Sequence, residues 1–369
     1  FSARLDELRK LTSDRRADPV TLGRLRREVD QLGAARYSFL SGLYWHTDLS
    51  SAQAEATKSG KPILVLRLMG DLRDEYSCAN SRFFRSVLYS DPTIAKVLDR
   101  DYILYWKKVR DVPKITIEFE DGRKICGTIA GNSIHYVVSS DGLLLNAFPG
   151  LYEPQTFLNH LTQTQEFAAS LSTVDPQQRQ AVVRYQVRRR LTSLTTEWGR
   201  KLVDVSEQVA AARGEDVEQV RGHATAAAAS RLSVTKSVMT EKDILKGLAQ
   251  SIDALDDLTD TAAIKAIAET MDSKVSDVTR QIIDVESHGS NTDARVAKLS
   301  KTLAMDTVLN EYRLRPRLLR WMLEEESSDL NELNRKVYAE LFLTPDSDPW
   351  FGLLPVDRYT ALINDGVRE

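Results

Sequence analysis

Three features are scarce in this sequence of 369 residues, and each scarcity excludes a class of protein. The chain has only 2 cysteines, too few for a disulfide framework and uninformative about the compartment. No apolar run approaches the ~20 residues that a membrane-spanning helix needs. The formal net charge is −3, so no overall basic field favours nucleic acid or an anionic membrane. We expect a soluble protein that binds no nucleic acid and has no membrane span.

Sequence signatures of metal and cofactor sites are also missing. There is no HExxH motif, no paired-cysteine zinc spacing, no Walker A loop, no GxGxxG and no GxSxG. The five histidines are scattered along the chain, at positions 46, 135, 160, 223 and 288. We therefore expect no cofactor and no bound metal.

The first residue is Phe1 rather than methionine, which is compatible with a processed product. The compartment stays open between two alternatives. One is the bacterial periplasm or cell envelope, after removal of a signal peptide, and the other is the cytoplasm.

The stretch from Lys61 to Lys96 organises the rest of the sequence. An almost continuous apolar run, residues 63–69, is bounded by Pro62 and Gly70. A run of this length predicts a central strand that is buried on both faces. A loop follows, then Cys78 at the start of a helix, then a second helix that begins at Asp91-Pro92.

This order of elements resembles the thioredoxin-like superfamily, over about Tyr44 to Leu161. Cys78 stands twelve residues before Ser90 of a Ser-Asp-Pro sequence, as the first active-site cysteine does in the related domains. The resemblance implies an α/β domain of thioredoxin type, in which a Cys-x-x-Cys pair and a cis-proline form the redox site.

The sequence departs from that family pattern at three places. Ser81 stands in place of the second cysteine. The loop from Asp71 to Ser77 is longer than usual and lacks the tryptophan that normally precedes the cysteine. Ser133 falls where the cis-proline of the family faces the active cysteine. A missing resolving thiol and a missing cis-proline argue against dithiol–disulfide exchange.

The candidate site residues are Cys78, Ser81, Ser133 and His135. Cys78 is either a reactive single thiol at a helix N-terminus or a buried remnant on a retained scaffold, and the second interpretation is favoured. Ser133 and His135 share one face of a strand, because side chains alternate along it. They form either a Cys–His pair with Cys78 or, as we favour, a polar pair that fills the cis-proline position.

Residues Lys114 to Ile129 predict a β-hairpin that adds to a minimal thioredoxin-like core. Ile115, Ile117 and Phe119 alternate with polar residues, and Asp121-Gly122 supplies a tight turn. A two-residue loop would put Cys126 opposite Ile117, as a small core residue on the apolar face. A disulfide between Cys78 and Cys126 is a minor alternative.

Four regions follow from these patterns: a helical lead-in over 1–43, the thioredoxin-like domain over 44–171, an α-helical domain over 175–343 and an aromatic, proline-rich tail over 344–369. Long apolar stripes predict a helical bundle or hairpin, and the stripe from Ile264 to Val285 has the 3.5-residue spacing of a supercoiled pair. A kink is expected at Pro316.

We favour a protein-interaction or structural subunit without a redox dithiol, which binds a protein partner or forms a homo-oligomer through the helical domain and the tail. The basic residues Arg188, Arg189 and Arg190 favour a solvated face or an acidic partner over nucleic acid, because no aromatic residues are interleaved with them. The alternative is a thiol-dependent redox or chaperone-like factor that uses Cys78. If the protein is an enzyme, a monothiol oxidoreductase-like activity is expected.

Overall fold

The computed structural model describes residues 1–14, 17–206, 208–209, 232–241, 261–324, 329–354 and 360–367. In residues 1–171 the elements, in chain order, are α1 (Ser2–Ser13), α2 (Pro19–Leu32), α3 (Ser38–Ser41), α4 (Leu49–Ser59), β1 (Ile63–Leu68), α5 (Ala79–Phe83), α6 (Pro92–Asp101), β2 (Ile103–Lys108), β3 (Lys114–Glu118), β4 (Lys124–Thr128), β5 (Ser133–Val138), β6 (Leu144–Pro149) and α7 (Pro154–Leu171). A π-helical turn, Phe84–Leu88, extends α5.

Four of these strands form one mixed sheet in the order β2-β1-β5-β6. β1 runs parallel to β2 and antiparallel to β5, and β5 runs antiparallel to β6. A single bridge between His46 and Tyr105 adds a further parallel contact at the β2 edge. The β3–β4 hairpin is a separate two-stranded sheet.

Strand β1 is buried on both faces, as its apolar sequence predicts. All six of its residues are buried. Leu64, Leu66 and Leu68 belong to the hydrophobic core that includes side chains of α6, α7 and α8. Ile63 and Val65 face the opposite core, which includes side chains of α4 and of the C-terminal helices.

Helices occupy most of the described residues after position 171. In chain order they are α8 (Pro176–Asp204), α9 (Val234–Lys236), α10 (Thr261–Glu269), α11 (Asp277–Glu286), α12 (Thr292–Leu309), α13 (Arg315–Glu324) and α14 (Leu330–Lys336). π-helical turns follow three of them, at Ser237–Glu241, Asn310–Leu314 and Val337–Leu341. Within the described part of the chain, no helix combines the length and the hydrophobicity needed to cross a bilayer. The predicted combination of an α/β region and an α-helical region is therefore present.

The helical region packs directly on the sheet. Val183, Val187 and Leu194 of α8 share a core with the β1 leucines. Leu318 of α13 and Leu333 of α14 share the opposite core. The two regions therefore stabilise one another through common apolar surface.

The lead-in helices α1 and α2 pack on each other through four buried side chains, Leu5, Leu8, Leu25 and Val29. Asp18 caps α2, because its carboxylate accepts from the backbone N–H groups of Val20 and Thr21. Trp106 of β2 donates from Nε1 to the Ala34 carbonyl at 2.8 Å. This hydrogen bond fixes the end of the lead-in to the edge of the sheet.

The β3–β4 hairpin has a different register from the expected one. Its loop comprises residues 120–122, because the Phe119 N–H still donates to the Arg123 carbonyl at 2.9 Å. A three-residue loop places Cys126 opposite Thr116. A shift of one residue turns a side chain to the other face of a strand. Cys126 is exposed, so its predicted place in the core is wrong.

The apolar stripe from Ile264 to Val285 is divided between α10 and α11. Residues 270–276 separate the two helices, and Ser276 caps α11 by accepting from the Thr279 N–H at 3.2 Å. Val285 is 74% exposed. The stripe therefore lies on two separate helices and not on one continuous helix.

A kink is expected at Pro316, and the structure has a π-helical turn directly before the helix that contains it. Pro316 is the second residue of α13 and follows the π-helical turn Asn310–Leu314. A proline inside a helix removes an N–H donor and crowds the preceding turn. A π-helical turn changes the local hydrogen-bond pattern at this point, so that α12 continues into α13.

Residues 344–354 of the tail lie against the α/β region. Arg110 donates from Nη1 to the Pro345 carbonyl at 2.9 Å and from Nη2 to the Asp348 carbonyl at 3.2 Å. Its guanidinium carbon lies 3.7 Å from the centre of the Phe351 ring, which is buried. This part of the tail therefore covers an internal surface.

Gly150, between β6 and α7, offers a test of the junction between the sheet and the helical region. Its φ is +72°, and a Cβ at this position would lie 2.7 Å from the Asn310 side chain. Gly60 has the same φ, but a Cβ there would have no described atom of another segment within 4 Å. We expect Gly60→Ala to cost about 1 kcal/mol, from backbone strain alone. Gly150→Ala should cost about 1–3 kcal/mol more, because the methyl group also displaces Asn310.

Urea unfolding of the two variants and the wild type measures both losses. Equal losses in Gly60→Ala and Gly150→Ala would show that Asn310 does not pack tightly against this turn.

Candidate functional site

Cys78 lies at the N-terminus of α5, directly after the loop that follows β1. Its side chain is fully buried. Its Sγ lies 2.9 Å from the Ser133 hydroxyl oxygen and 3.9 Å from the Asn132 carbonyl oxygen. The structure therefore brings together Cys78 and the residue expected to face it. A Cβ at Gly131 would lie only 2.4 Å from Cys78 Cβ, so the two backbones approach closely here.

Ser81, at the position of the absent second cysteine, is turned toward its own helix. Its hydroxyl oxygen lies 2.8 Å from the Cys78 carbonyl, to which it donates. It also lies 2.8 Å from the Ser77 hydroxyl oxygen. These hydrogen bonds close the first turn of the helix, and they leave Ser81 in a structural role.

His135 shares a strand face with Ser133 but belongs to an aromatic cluster. Its ring centre lies 4.5 Å from that of Phe84 and 5.1 Å from that of Phe157. Its Nε2 lies 2.5 Å from the Tyr89 hydroxyl, and its Nδ1 is buried without a hydrogen-bond partner among the described residues. Burial lowers the pKa of His135 to about 3. The imidazole is therefore neutral near pH 7, with Tyr89 as the donor.

The Cys–His pair is not formed in this arrangement. In the part of the chain that the structure describes, His135 hydrogen-bonds to Tyr89 and Cys78 to Ser133 and Asn132. A pKa of about 3 makes His135 a weak base, and its partner is Tyr89 rather than the thiol, so it does not activate Cys78. Ser133 and His135 are thus buried polar groups with separate partners, and one imidazole nitrogen has no partner among the described residues.

The two arginines that follow the cysteine hold other parts of the chain. Arg85 is buried and donates from Nη1 to the Leu72 and Asp74 carbonyls, at 2.6 and 2.8 Å. Burial lowers its pKa to about 10. Arg82 donates from Nη2 to the Thr128 hydroxyl at 3.2 Å. These bonds fix the loop before Cys78 and the end of β4.

The loop carboxylates have their own cationic partners. Asp71 accepts from the Arg73 side chain at 2.9 and 2.6 Å. Asp74 lies 3.2 Å from Lys114 Nζ of the hairpin. The loop charges next to Cys78 are thus neutralised by neighbours on the surface.

Residues 232–241, which form α9 and the turn after it, cover this site. Lys236 is fully buried, and its Nζ donates to the Gly131 carbonyl at 3.2 Å and to Asn132 Oδ1 at 3.4 Å. Glu241 is also fully buried, and its Oε2 accepts from the Ala130 N–H at 3.3 Å. Two charged side chains from the helical region thus bind the backbone directly before Ser133.

Asp306 of α12 anchors the start of this covering segment. Its carboxylate accepts from the backbone N–H groups of Val234 at 2.6 Å and Thr235 at 2.9 Å. The Ser233 hydroxyl bridges Asp306 Oδ2, at 3.2 Å, to Asn80 Oδ1 of α5, at 3.1 Å. Burial raises the pKa of Asp306 to about 6, although these hydrogen bonds oppose the shift.

Tyr338 closes the site from another side. Its hydroxyl lies 2.9 Å from the Asn132 carbonyl oxygen and 3.2 Å from that of Arg67. Burial raises the pKa of this tyrosine well above its usual value, so it donates a hydrogen bond. Two segments of the helical region, residues 232–241 and the turn that carries Tyr338, therefore meet at the backbone around Asn132, next to Cys78.

Sequence reasoning identified Cys78, Ser81 and Ser133 but not the groups that surround them. Lys236 and Tyr338 belong to no motif, and they approach the site only through long-range packing. The sequence pattern around these two residues does not predict their burial. A single lysine in a helical pattern normally indicates a solvent-exposed position. This contact was outside the reach of local patterns.

Among residues whose placement the structure gives, no group of three His, Cys, Asp or Glu side chains is arranged to hold a metal ion. Both cysteines are free thiols. The sequence matches no protein-family model and no curated protein sequence.

The two thiols should differ in reactivity, because Cys126 is exposed and Cys78 is buried beneath residues 232–241. We expect DTNB to modify Cys126 rapidly in the native protein and Cys78 only on unfolding. Absorbance of the released thionitrobenzoate measures both steps.

Cys126→Ser should remove the rapid phase, and Cys78→Ser should keep it. Rapid labelling of native Cys126→Ser at a rate similar to that of a free thiol would contradict the burial of Cys78.

Proposed function

We propose that residues 44–171 form a thioredoxin-like domain without redox chemistry, and that the protein acts as an interaction or structural subunit. The order β2-β1-β5-β6, with a parallel β1–β2 pair and an antiparallel β5–β6 pair, supports the fold assignment. The place of Cys78 after β1, opposite Ser133 at the start of β5, supports it as well.

The complete burial of Cys78 under the helical region carries the functional part of the proposal. Disulfide exchange needs an attacking thiolate that reaches a substrate sulfur and a second thiol that resolves the mixed disulfide. Cys78 Sγ faces Ser133 instead of solvent, and Ser81 is hydrogen-bonded within its own helix. In this proposal, residues 232–241 pack on the surface that carries the active site in redox-active thioredoxin-like domains.

The β3–β4 hairpin supplies a surface for a protein partner. Ile117 and Ile125 pair directly across its strands and are 39% and 50% exposed. Phe119 lies on the same side and is 41% exposed. Contiguous exposed apolar side chains of this size are a feature of interaction sites.

The helical region and the end of the tail offer further apolar contacts to a partner or a second copy. Val203 and Val285 are 72% and 74% exposed, and Ile363 is 97% exposed. The hairpin differs from these isolated side chains, because its three apolar groups are neighbours on one small sheet. We therefore assign the first contact to the hairpin.

The purified protein should show no disulfide reductase activity comparable with that of a dithiol thioredoxin. Attack by Cys78 would leave a mixed disulfide that Ser81 cannot resolve. Insulin reduction, with dithiothreitol as the electron source, measures this activity. Robust turnover that is lost in Cys78→Ser would favour the thiol-dependent alternative instead.

Charge on the apolar face of the hairpin should weaken association. We expect the double variant Ile117→Lys, Ile125→Lys to lose partners that the wild type recovers from native extract, or to lose self-association. Thr116→Lys is the matched control, because Thr116 is exposed on the opposite face of the same strand. Quantitative mass spectrometry of the captured proteins and light scattering at several concentrations measure the two cases.

A strictly monomeric wild type that captures no protein would count against an interaction role. Equal losses in Thr116→Lys and the double variant would refute the hairpin as the contact.

A further inference from the structure

A cavity of about 450 Å³ lies between α7, α8 and the junction of α12 with α13. Its floor includes the buried side chains of His160, Glu311 and Arg315. Its rim includes exposed polar side chains, among them Gln163 and Ser193. The volume lies within the range of about 300–1,000 Å³ that is typical of small-molecule sites.

Glu311 and Arg315 form an ion pair on the floor. Arg315 Nη1 lies 2.6 and 2.8 Å from the two carboxylate oxygens of Glu311. His160 Nε2 lies 2.9 Å from Glu311 Oε2. Although burial alone would raise it, the Arg315 guanidinium holds the pKa of Glu311 at about 2. The negative charge of Glu311 is therefore matched by Arg315.

Arg190 brings a second guanidinium to the cavity wall, with no carboxylate partner among the described residues. Its Nη1 donates to the Leu145 carbonyl at 2.9 Å. Its Nη2 is buried and has no hydrogen-bond partner in the same part of the chain. Burial, together with the nearby charge of Arg315, lowers the pKa of Arg190 to about 10, so it is still cationic near pH 7. The sequence places it in an exposed basic spot, yet only Arg188 and Arg189 are exposed there.

The charges of the cavity wall do not balance. The cations that line it are Arg190, Arg315 and Lys201, and the carboxylates are Glu197 and Glu311. Lys201 lies 3.9 Å from Glu197, and Arg315 binds Glu311, so the excess positive charge resides on Arg190. Arg190 is half-buried, so part of its charge is removed from water without a counter-ion, and an anion in the cavity would offset that cost.

We propose that this cavity binds a small molecule through an oxyanion, a phosphate or a carboxylate group, with the guanidinium of Arg190 as the principal cation. A planar guanidinium presents parallel N–H donors that match both kinds of oxyanion. Arg315 lies behind it, and its Nε is buried with no hydrogen-bond partner in the described residues. The polar side chains of the rim contact the remainder of the ligand. This site is independent of Cys78 and of the proposed interaction role.

Binding is tested with inorganic phosphate and with succinate, each against sodium chloride at equal ionic strength. Isothermal titration calorimetry and thermal unfolding of the whole chain should show saturable binding and a raised Tm for at least one oxyanion. The two arms distinguish a phosphate-bearing ligand from a carboxylate-bearing one. No saturable binding of either, or an equal effect of chloride, would overturn the proposal.

Arg190→Gln should weaken the binding about tenfold or more, because it removes the unpaired cation. Arg189→Gln is the matched control, since Arg189 is the neighbouring residue on α8, is exposed and does not line the cavity. Unchanged affinity in Arg190→Gln, or the same loss in both variants, would refute the assignment of Arg190.

A second pair of variants changes only exposed residues of α7, so that a loss of binding cannot be attributed to a disturbed core. Gln163→Glu adds a negative charge at the exposed rim and should weaken oxyanion binding severalfold through repulsion. Thr162→Glu, one position earlier on α7 and also exposed, does not line the cavity and should leave the affinity unchanged. Indistinguishable affinities in these two variants would count against binding in this cavity.

Discussion

The constraint on which the structure depends is strand β1, which has no exposed residue. Even Arg67 is 5% exposed, and its Nη2 donates to Asn331 Oδ1 at 2.8 Å. A strand of this kind needs apolar cover on both faces. Helices α6, α7 and α8 cover one face, and α4, α13 and α14 cover the other. Helices far from β1 along the chain are therefore part of its core, and the sheet and the helical region are stabilised together.

The cover on both faces of the sheet also explains why Cys78, after the loop that follows β1, is buried. Because helices cover both faces of the sheet, the backbone around Asn132 and Ser133 lies in the interior, and its polar groups need internal partners. Lys236 and Tyr338 donate to the carbonyls there. This packing excludes solvent from Cys78, and the thiol has the Ser133 hydroxyl as its buried partner.

Local patterns predicted the elements whose determinants are local. The apolar run of β1 and the Asp91 cap follow from periodicity and capping. The facing of Cys78 with Ser133 was an expectation from the family resemblance. The predicted register of the hairpin was wrong, because one extra loop residue turns every side chain of a strand to the opposite face of the hairpin. The partial burial of Arg190 and the docking of residues 232–241 depend on contacts between distant segments, which no local pattern encodes.

The buried charges divide into two groups by the partners they have. Lys236 and Glu241 bind backbone groups of Gly131 and Ala130, so they fix the docking of their segment on the interior of this chain. Replacing such groups by apolar side chains would keep the volume but lose the directional bonds. Arg190 differs, because half of its guanidinium has no partner in the described residues. What distinguishes Arg190 is its position at the wall of a cavity, where a ligand could supply the partner that the described residues do not.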